Sequence, residues 1–361
     1  MPEKKKRRIE IYDIAKCIAI FMVILGHTAT NDELLADPPM LIRILYSIHM
    51  PLFFMLSGLS ISPVTLKGWA GWKLFLRKTV LTVAIPFLIW GLIYCRFSFE
   101  NLGWILYGSW TALGRTGTVT SLWYLSCLFC ARILAQLVIS AMTGLGAGGR
   151  RTACLLPAAL CLAVGFLLPE IENGYPWCLD VAFTATGCIL LGVALRDRVL
   201  RLQACRGWVL AALLIGACGL YGALAALSGE RFGVMMMCRG AYGNPFLAVA
   251  FAGLGGFAVI VLSVLLKRLA DEWIPRVELK PLVYLGQHTM GVFLLHKPML
   301  QNVFLPFFTN LLSGGPDILV RLLATFASLL VSVWLCRLIE HYIPELVGIF
   351  SKDVIRGRDA A

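Results

Sequence analysis

Long apolar runs, broken at intervals by short polar and basic clusters, set the pattern of this chain. Leu247 to Leu266 contains no charged residue, and Ile318 to Leu335 is interrupted only by Arg321. Runs of that length match the roughly 20 residues of helix that cross a bilayer. Hydrocarbon offers no partner for backbone N–H and C=O groups, so each run must close its own hydrogen bonds as an α-helix. In the first half the pattern predicts spans at Ile11 to Thr30, Leu41 to Ile61, Val80 to Phe97, Ser121 to Ala141 and Ala153 to Leu168. In the second half it predicts Cys178 to Leu195, Gly207 to Leu227, Asn244 to Leu266, Tyr284 to Phe304 and Ile318 to Ile339. The expected fold class is an all-α integral membrane protein of about ten transmembrane helices. One membrane domain is expected over residues 1–361, with short cytoplasmic tails at 1–10 and 341–361.

Composition sharpens this picture. Hydrophobic residues make up 59% of the chain and charged residues 14%, against roughly a quarter charged in a soluble domain. The net charge of +12 raises the question of a nucleic-acid partner, which the placement of the cations answers. Lys4 to Arg8, then Lys67, Lys73, Arg77 and Lys78, then Arg150 and Arg151 fall in alternate loops. So do Arg196 to Arg206, the group Lys267, Arg268, Arg276 and Lys280, and Lys352 to Arg358. This asymmetry is the positive-inside rule. It orients both termini toward the cytoplasm, implies a multi-pass protein of the cell (cytoplasmic or inner) membrane, and removes the need for a nucleic-acid partner.

Most of the twelve cysteines lie inside apolar runs, where they act as small hydrophobes. Cys127 and Cys130 form a C-x-x-C pair without a second pair or a nearby His, so no metal site is expected. Trp104, Trp110 and Trp123 crowd one boundary and read as interfacial anchors. The stretch Leu102 to Leu113 is too short to span and is expected to roof an outer cavity. Gly253 and Gly256 read as helix-packing positions.

Ionisable groups inside spans are costly and therefore mark function by default. At about 100° per residue, Asp13, Lys16 and His27 share one face of the first helix. Lys16 lies near the inner headgroups and His27 stands roughly 16 Å above it. Asp13 and Lys16 also read simply as an i,i+3 ion pair. In the second span His49 precedes Pro51 at a depth close to that of His27, and serves equally as a catalytic or a structural residue. Ser57 lies deeper, where it bonds a carbonyl or a neighbouring helix. The ninth span carries His288, Thr289, His296 and Lys297, with His296 near mid-membrane, suited to proton transfer. Glu340 orients a cation or closes an ion pair with Arg337. Arg77 and Lys78 open the third span from the basic side, where a phosphate-bearing molecule would meet them, although the same charges also satisfy topology.

Several of these stretches resemble the membrane-bound acyltransferase 3 family, and especially its fucose 4-O-acetylase-like branch. Ile11 to Lys16 with Val23 to His27 resembles the family's opening, in which Arg or Lys precedes an essential His by eleven residues. Ser47 to Gly58, Arg77-Lys78 up to Pro86, Ser121 to Leu125 and Leu285 to His296 are similar to its later motifs, in the same order. Lys16 stands where Arg is more common and Thr289 where Ser is usual. The resemblance implies transfer of an acyl group, acetyl above all, from acyl-CoA to a hydroxyl of a cell-envelope or exported carbohydrate or glycolipid. Acetyl-CoA is then the donor substrate, and His27 works as general base or as acyl carrier. Asp13 and Lys16 support His27, Arg77 and Lys78 hold the coenzyme A phosphates, and His49, Ser57, His296 and Glu340 lie near the acceptor or behind the reacting groups. The rival reading is a multi-pass transporter or membrane sensor of a small solute. Its polar spans fit, but it lacks the internal repeat of alternating-access folds.

Overall fold

The computed structural model describes residues 9–30, 33–34, 38–61, 65–66, 68–116, 120–142, 144–273 and 278–357. Lys4 to Arg8, Lys67, Arg276 and Arg358 fall outside them. Among the described residues the chain is helical almost throughout, with one isolated bridge between Met236 and Ala241. The principal helices are α1 (Glu10–Gly26), α2 (Met40–Ser60), α3 (Gly68–Tyr94), α4 (Thr120–Ala141), α5 (Gly148–Leu167) and α6 (Pro176–Leu202). They continue with α7 (Gly207–Ser228), α8 (Pro245–Glu272), α9 (Lys280–Gln287), α10 (Thr289–Met299) and α11 (Asp317–Tyr342).

Eight of these, α2 to α8 and α11, are long and apolar enough to cross a membrane. The other two expected spans are built differently. Helix α1 has 17 residues and carries Asp13 and Lys16. The ninth is not one helix: His288 leaves helical geometry (φ −107°, ψ 17°) between α9 and α10. Beyond Pro298, which has no N–H to give the helix ladder, the backbone widens into a π turn at Leu300–Phe304. Apolar run length alone cannot register such breaks, because they leave the composition unchanged.

Helix α1 is the axis of the bundle. Helices α2, α8, α9, α10 and α11 all pack on it, and Ile14, Ile20 and Ile24 are fully buried. Helices α5 and α7 lie at the periphery, and Leu156, Leu160, Ile215 and Leu220 stand outward and exposed. Leucines and isoleucines exposed in rows are costly in water and ordinary in lipid, so this is the outer surface of a multi-pass membrane protein.

Between helices, close approach comes from glycine, because apolar side chains gain no hydrophobic free energy from leaving lipid for one another. A Cβ built on Gly58 of α2 would lie 1.9 Å from the Ile189 carbonyl oxygen of α6, and one on Gly192 would lie 2.1 Å from that of Met55. The two backbones therefore touch at this crossing. In α8 the packing positions are Gly255, against Ile48, and Gly256, against Met55, whereas Gly253 faces open space. The expectation for Gly253 was thus misplaced, since one residue along a helix turns the side chain by about 100°.

Candidate active site

Helix α1 ends at His27, whose N–H still donates to the carbonyls of Val23 and Ile24 at 3.0 and 3.1 Å. Its imidazole therefore sits at the end of the bundle opposite the amino terminus, about 25 Å along the axis from Glu10. There it lines a cavity of about 610 Å³. Its walls mix aromatic residues, Tyr46, Trp110, Trp123 and Phe293, with polar ones, His49, Thr120, Ser121, Arg239, Lys297, Gln301 and Asn302. Met235 to Cys238 close the cavity between α7 and α8. The helix Trp110–Arg115 contributes Trp110 and Gly114 to it, so part of the stretch expected as a roof does cover the site. Trp110 and Trp123 are consequently wall residues rather than lipid anchors; Trp123 is only 5% exposed.

The histidines converge here. The ring of His27 stacks on His296 with centroids 5.4 Å apart and planes 28° from parallel. His296 is fully buried, and its Nδ1 lies 2.7 Å from the Phe293 carbonyl oxygen. A carbonyl can only accept, so the proton resides on Nδ1 and Nε2 carries the lone pair. That Nε2 has no hydrogen-bond partner among the described residues. His49 approaches from α2, with its Cε1 3.9 Å from a Cβ built on Gly26, and its Nδ1 is held 2.5 Å from the Leu45 carbonyl oxygen. His49 is therefore both structural and wall-forming. No hydrogen bond from the described residues takes up a ring nitrogen of His27, which is half-buried and open to the cavity. Of the three imidazoles, His27 has its nitrogens available to a substrate hydroxyl.

Beneath the cavity, sharing Met50 and Phe293 with it, lies a void of about 70 Å³ bounded by Phe53, Tyr124, Leu128, Thr289 and Met290. Tyr124 packs on Phe54 and on Phe293, both at 5.0 Å between ring centroids. The stretches Ser47 to Gly58, Ser121 to Leu125 and Leu285 to His296, scattered in sequence, thus meet around one pocket.

The loop after His27 is fastened from α11. The guanidinium of Arg321, 7% exposed, donates through Nη2 to Glu33 Oε1 and through Nε to Asp317 Oδ2, each at 2.5 Å, and its Nη1 is 3.4 Å from Thr28 Oγ1. Thr30 and Glu33 exchange backbone-to-side-chain bonds of 2.8 and 3.2 Å, a capping-box arrangement. Burial opposes the charge on Glu33, but the bonds from Thr30 and Arg321 hold its carboxyl below the ordinary range. In the sequence Arg321 stood out only as the break in an apolar run. Arg321→Met is expected to lower stability by about 1–3 kcal/mol, mostly through Glu33 because Asp317 is solvated, and to reduce activity more than Arg321→Lys does. Thermal melts and initial rates on the two variants check this.

Other expected residues lie elsewhere. Asp13 and Lys16 form an ion pair at 3.6 Å near the amino-terminal end, on the opposite half of α1 from His27. Ser57 is half-buried two turns below His49, about 12 Å away. Glu340 does not pair with Arg337: its Oε2 is 3.1 Å from His288 Nε2 and its Oε1 accepts from Cys336 Sγ, while Arg337 lies over the Tyr284 ring at 4.3 Å. Cys336 and Arg337 both stand within helical reach of Glu340, and the carboxylate turns to Cys336 and to His288 across the packing. Arg77 and Lys78 are exposed at the amino-terminal end, where Arg77 Nε donates to the Val354 carbonyl oxygen at 2.9 Å. They are separated from His27 by the thickness of the bundle.

Sequence reading gave Lys297 and Arg239 no role beyond that of outer charges and passed over Gln301 and Asn302. The only signal was the polar run on either side of Pro298, in an otherwise apolar span. A family model described as an acyltransferase domain matches residues 9–337 of the chain. No curated protein and no solved structure matches it.

Proposed function

The chain belongs to the acyltransferase 3 family, and from that premise we propose that it is a membrane O-acyltransferase moving an acyl group, acetyl above all, from acyl-CoA to a hydroxyl of a cell-envelope or exported carbohydrate. One observation carries this reading: the ring nitrogens of His27 open onto a cavity with aromatic and polar walls. A sugar hydroxyl is too weak an acid to attack a thioester unaided, and a general base within hydrogen-bond reach removes that obstacle. The aromatic faces suit the C–H face of a sugar ring, and the polar residues among them suit its hydroxyls.

In this reading both termini are cytoplasmic and the donor enters from the basic end. Arg77 and Lys78 hold the coenzyme A phosphates by charge-assisted hydrogen bonds. The pantetheine arm reaches toward His27 through the void beside Phe53, Tyr124 and Thr289, which the surrounding side chains must widen. His27 takes the hydroxyl proton, the oxygen attacks the thioester carbonyl, and the thiolate leaves toward the cytoplasm and is protonated. Asp13 and Lys16 line the lower part of the same helix face, where Lys16 meets the arm. A transient acyl group on His27 is the alternative course. The match to the fucose 4-O-acetylase-like branch is carried by the motifs alone.

Purified protein supplied with acetyl-CoA and carbohydrate acceptors should release free thiol in step with acetylated product; a transporter would release none. Arg77→Gln combined with Lys78→Gln is expected to raise the KM for acetyl-CoA by roughly tenfold or more, with kcat largely retained, since each lost charge-assisted bond is worth about 1.5–3 kcal/mol before solvent screening. Saturation kinetics in acetyl-CoA measure it, and an unchanged KM removes these two residues from the donor site.

A further inference from the structure

Several cations among the described residues meet carboxylates. Arg321 has Glu33 and Asp317, Lys267 has Glu10 and Asp271, Arg151 has Asp197, and Arg268 has Glu272. The cavity beside His27 holds cations of another kind. Lys297 and Arg239 line it, and no described carboxylate does. Lys297 is half-buried, and its Nζ donates 2.7 Å to a neutral group, the Thr120 hydroxyl. Arg239 lies 5.4 Å from the centre of the Trp110 ring, another cavity wall. An ammonium withdrawn from water costs free energy unless an anion compensates it, and a guanidinium on an aromatic face keeps its fork of donors for a planar anion.

Building on the acyl-transfer reading above, the geometry points to an acceptor that carries an anionic group, a carboxylate or a phosphate, close to the hydroxyl that receives the acyl group. Lys297 follows His296 directly on α10, and His296 stacks on His27. An anion held by Lys297 is therefore held beside the base. Arg239 comes from the segment between α7 and α8, so the two cations grip a bound sugar from different elements. Ser121 Oγ, buried in the same wall with no hydrogen-bond partner among the described residues, is a further polar atom for it. A neutral sugar would leave the ammonium uncompensated, and the cavity would discriminate against it.

The test uses the full chain in phosphatidylcholine nanodiscs, so that no anionic lipid headgroup competes. Glucose, glucuronate and glucose 6-phosphate are titrated against tryptophan fluorescence, with Trp110 and Trp123 in the cavity wall as reporters, and then offered as acceptors with acetyl-CoA. At low salt the anionic sugars should bind roughly tenfold or more tightly than glucose, with a preference that shrinks as ionic strength rises. A gain confined to glucuronate assigns the site to a carboxylate, and one confined to glucose 6-phosphate assigns it to a phosphate. Lys297→Met and Arg239→Gln should each shrink the preference to within about threefold of parity. Equal affinity for the three sugars, or an unaltered preference in both variants, overturns the inference. Thiol release separates the two levels: transfer without charge preference leaves the acyltransferase standing and removes the anionic acceptor, whereas anion-selective binding with no thiol release removes the acyltransferase alone.

Discussion

Alanine in place of His27 is expected to reduce acyl transfer by about 10²- to 10⁴-fold, the range a positioned general base supplies, while the protein stays folded. Folding should survive because His27 is half-buried at the end of α1 and its ring nitrogens take no hydrogen bond from the described residues. What the substitution removes is the stack on His296, a ring contact of order 0.5–1.5 kcal/mol. Initial rates of thiol release, compared with a thermal melt and a gel-filtration profile of the same preparation, separate lost chemistry from lost structure. A well-folded His27→Ala protein with full transfer would end the mechanism. Labelling of the wild-type protein divides the two courses open to the histidine. If it carries the acyl group, wild-type protein incubated with acetyl-CoA and no acceptor should gain one acetyl group on the peptide containing His27; a general base leaves that peptide unmodified.

The second large effect is structural. Gly286→Val should prevent assembly of the bundle or lower its stability by about 3 kcal/mol or more, beyond the usual range for overpacking. A Cβ built on Gly286 would lie 1.8 Å from the backbone oxygen of Asp13 and 2.4 Å from its carbonyl carbon. Those atoms belong to the backbone of α1, the buried axis of the protein, so no rotamer change can make room. Helix α9 must back away from α1, carrying His288 and the start of α10 with it, and the stack of His296 on His27 depends on that placement. Gly253→Ala is the matching control. It faces open space in the middle of α8, where alanine costs nothing sterically and improves helix propensity by up to about 1 kcal/mol. Expression level and thermal midpoint of the two variants side by side decide the matter, and equal behaviour would mean that α9 does not sit on Asp13 as described.

These two positions mark how far the linear pattern reaches. His27 was legible because a histidine near the end of an apolar helix is conspicuous and its depth follows from counting residues. Gly286 was not, because a glycine at a backbone contact looks the same in sequence as Gly253 in open space. Glu340 erred in the same way: four residues from Cys336 and three from Arg337, it had neighbours of both kinds within reach, and only packing of α10 on α11 chose His288 as its partner. The cavity cations were harder still. Lys297 and Arg239 lie on elements far apart in the chain, and nothing local marks them as walls of one pocket.

Sequence alone determined the helical membrane class, the position of most spans and the depth of each polar residue along its own helix. Lipid compels this, since every crossing segment must bond its backbone internally and a helix then advances a fixed distance per residue. Tertiary structure alone decided which faces meet: His27 on His296, Trp123 on the cavity, Arg321 on the loop beyond His27. Rotation about a helix axis and the choice of neighbours are set by contacts between distant side chains and by where glycine lets backbones touch, and a one-dimensional pattern of apolar and polar residues carries neither.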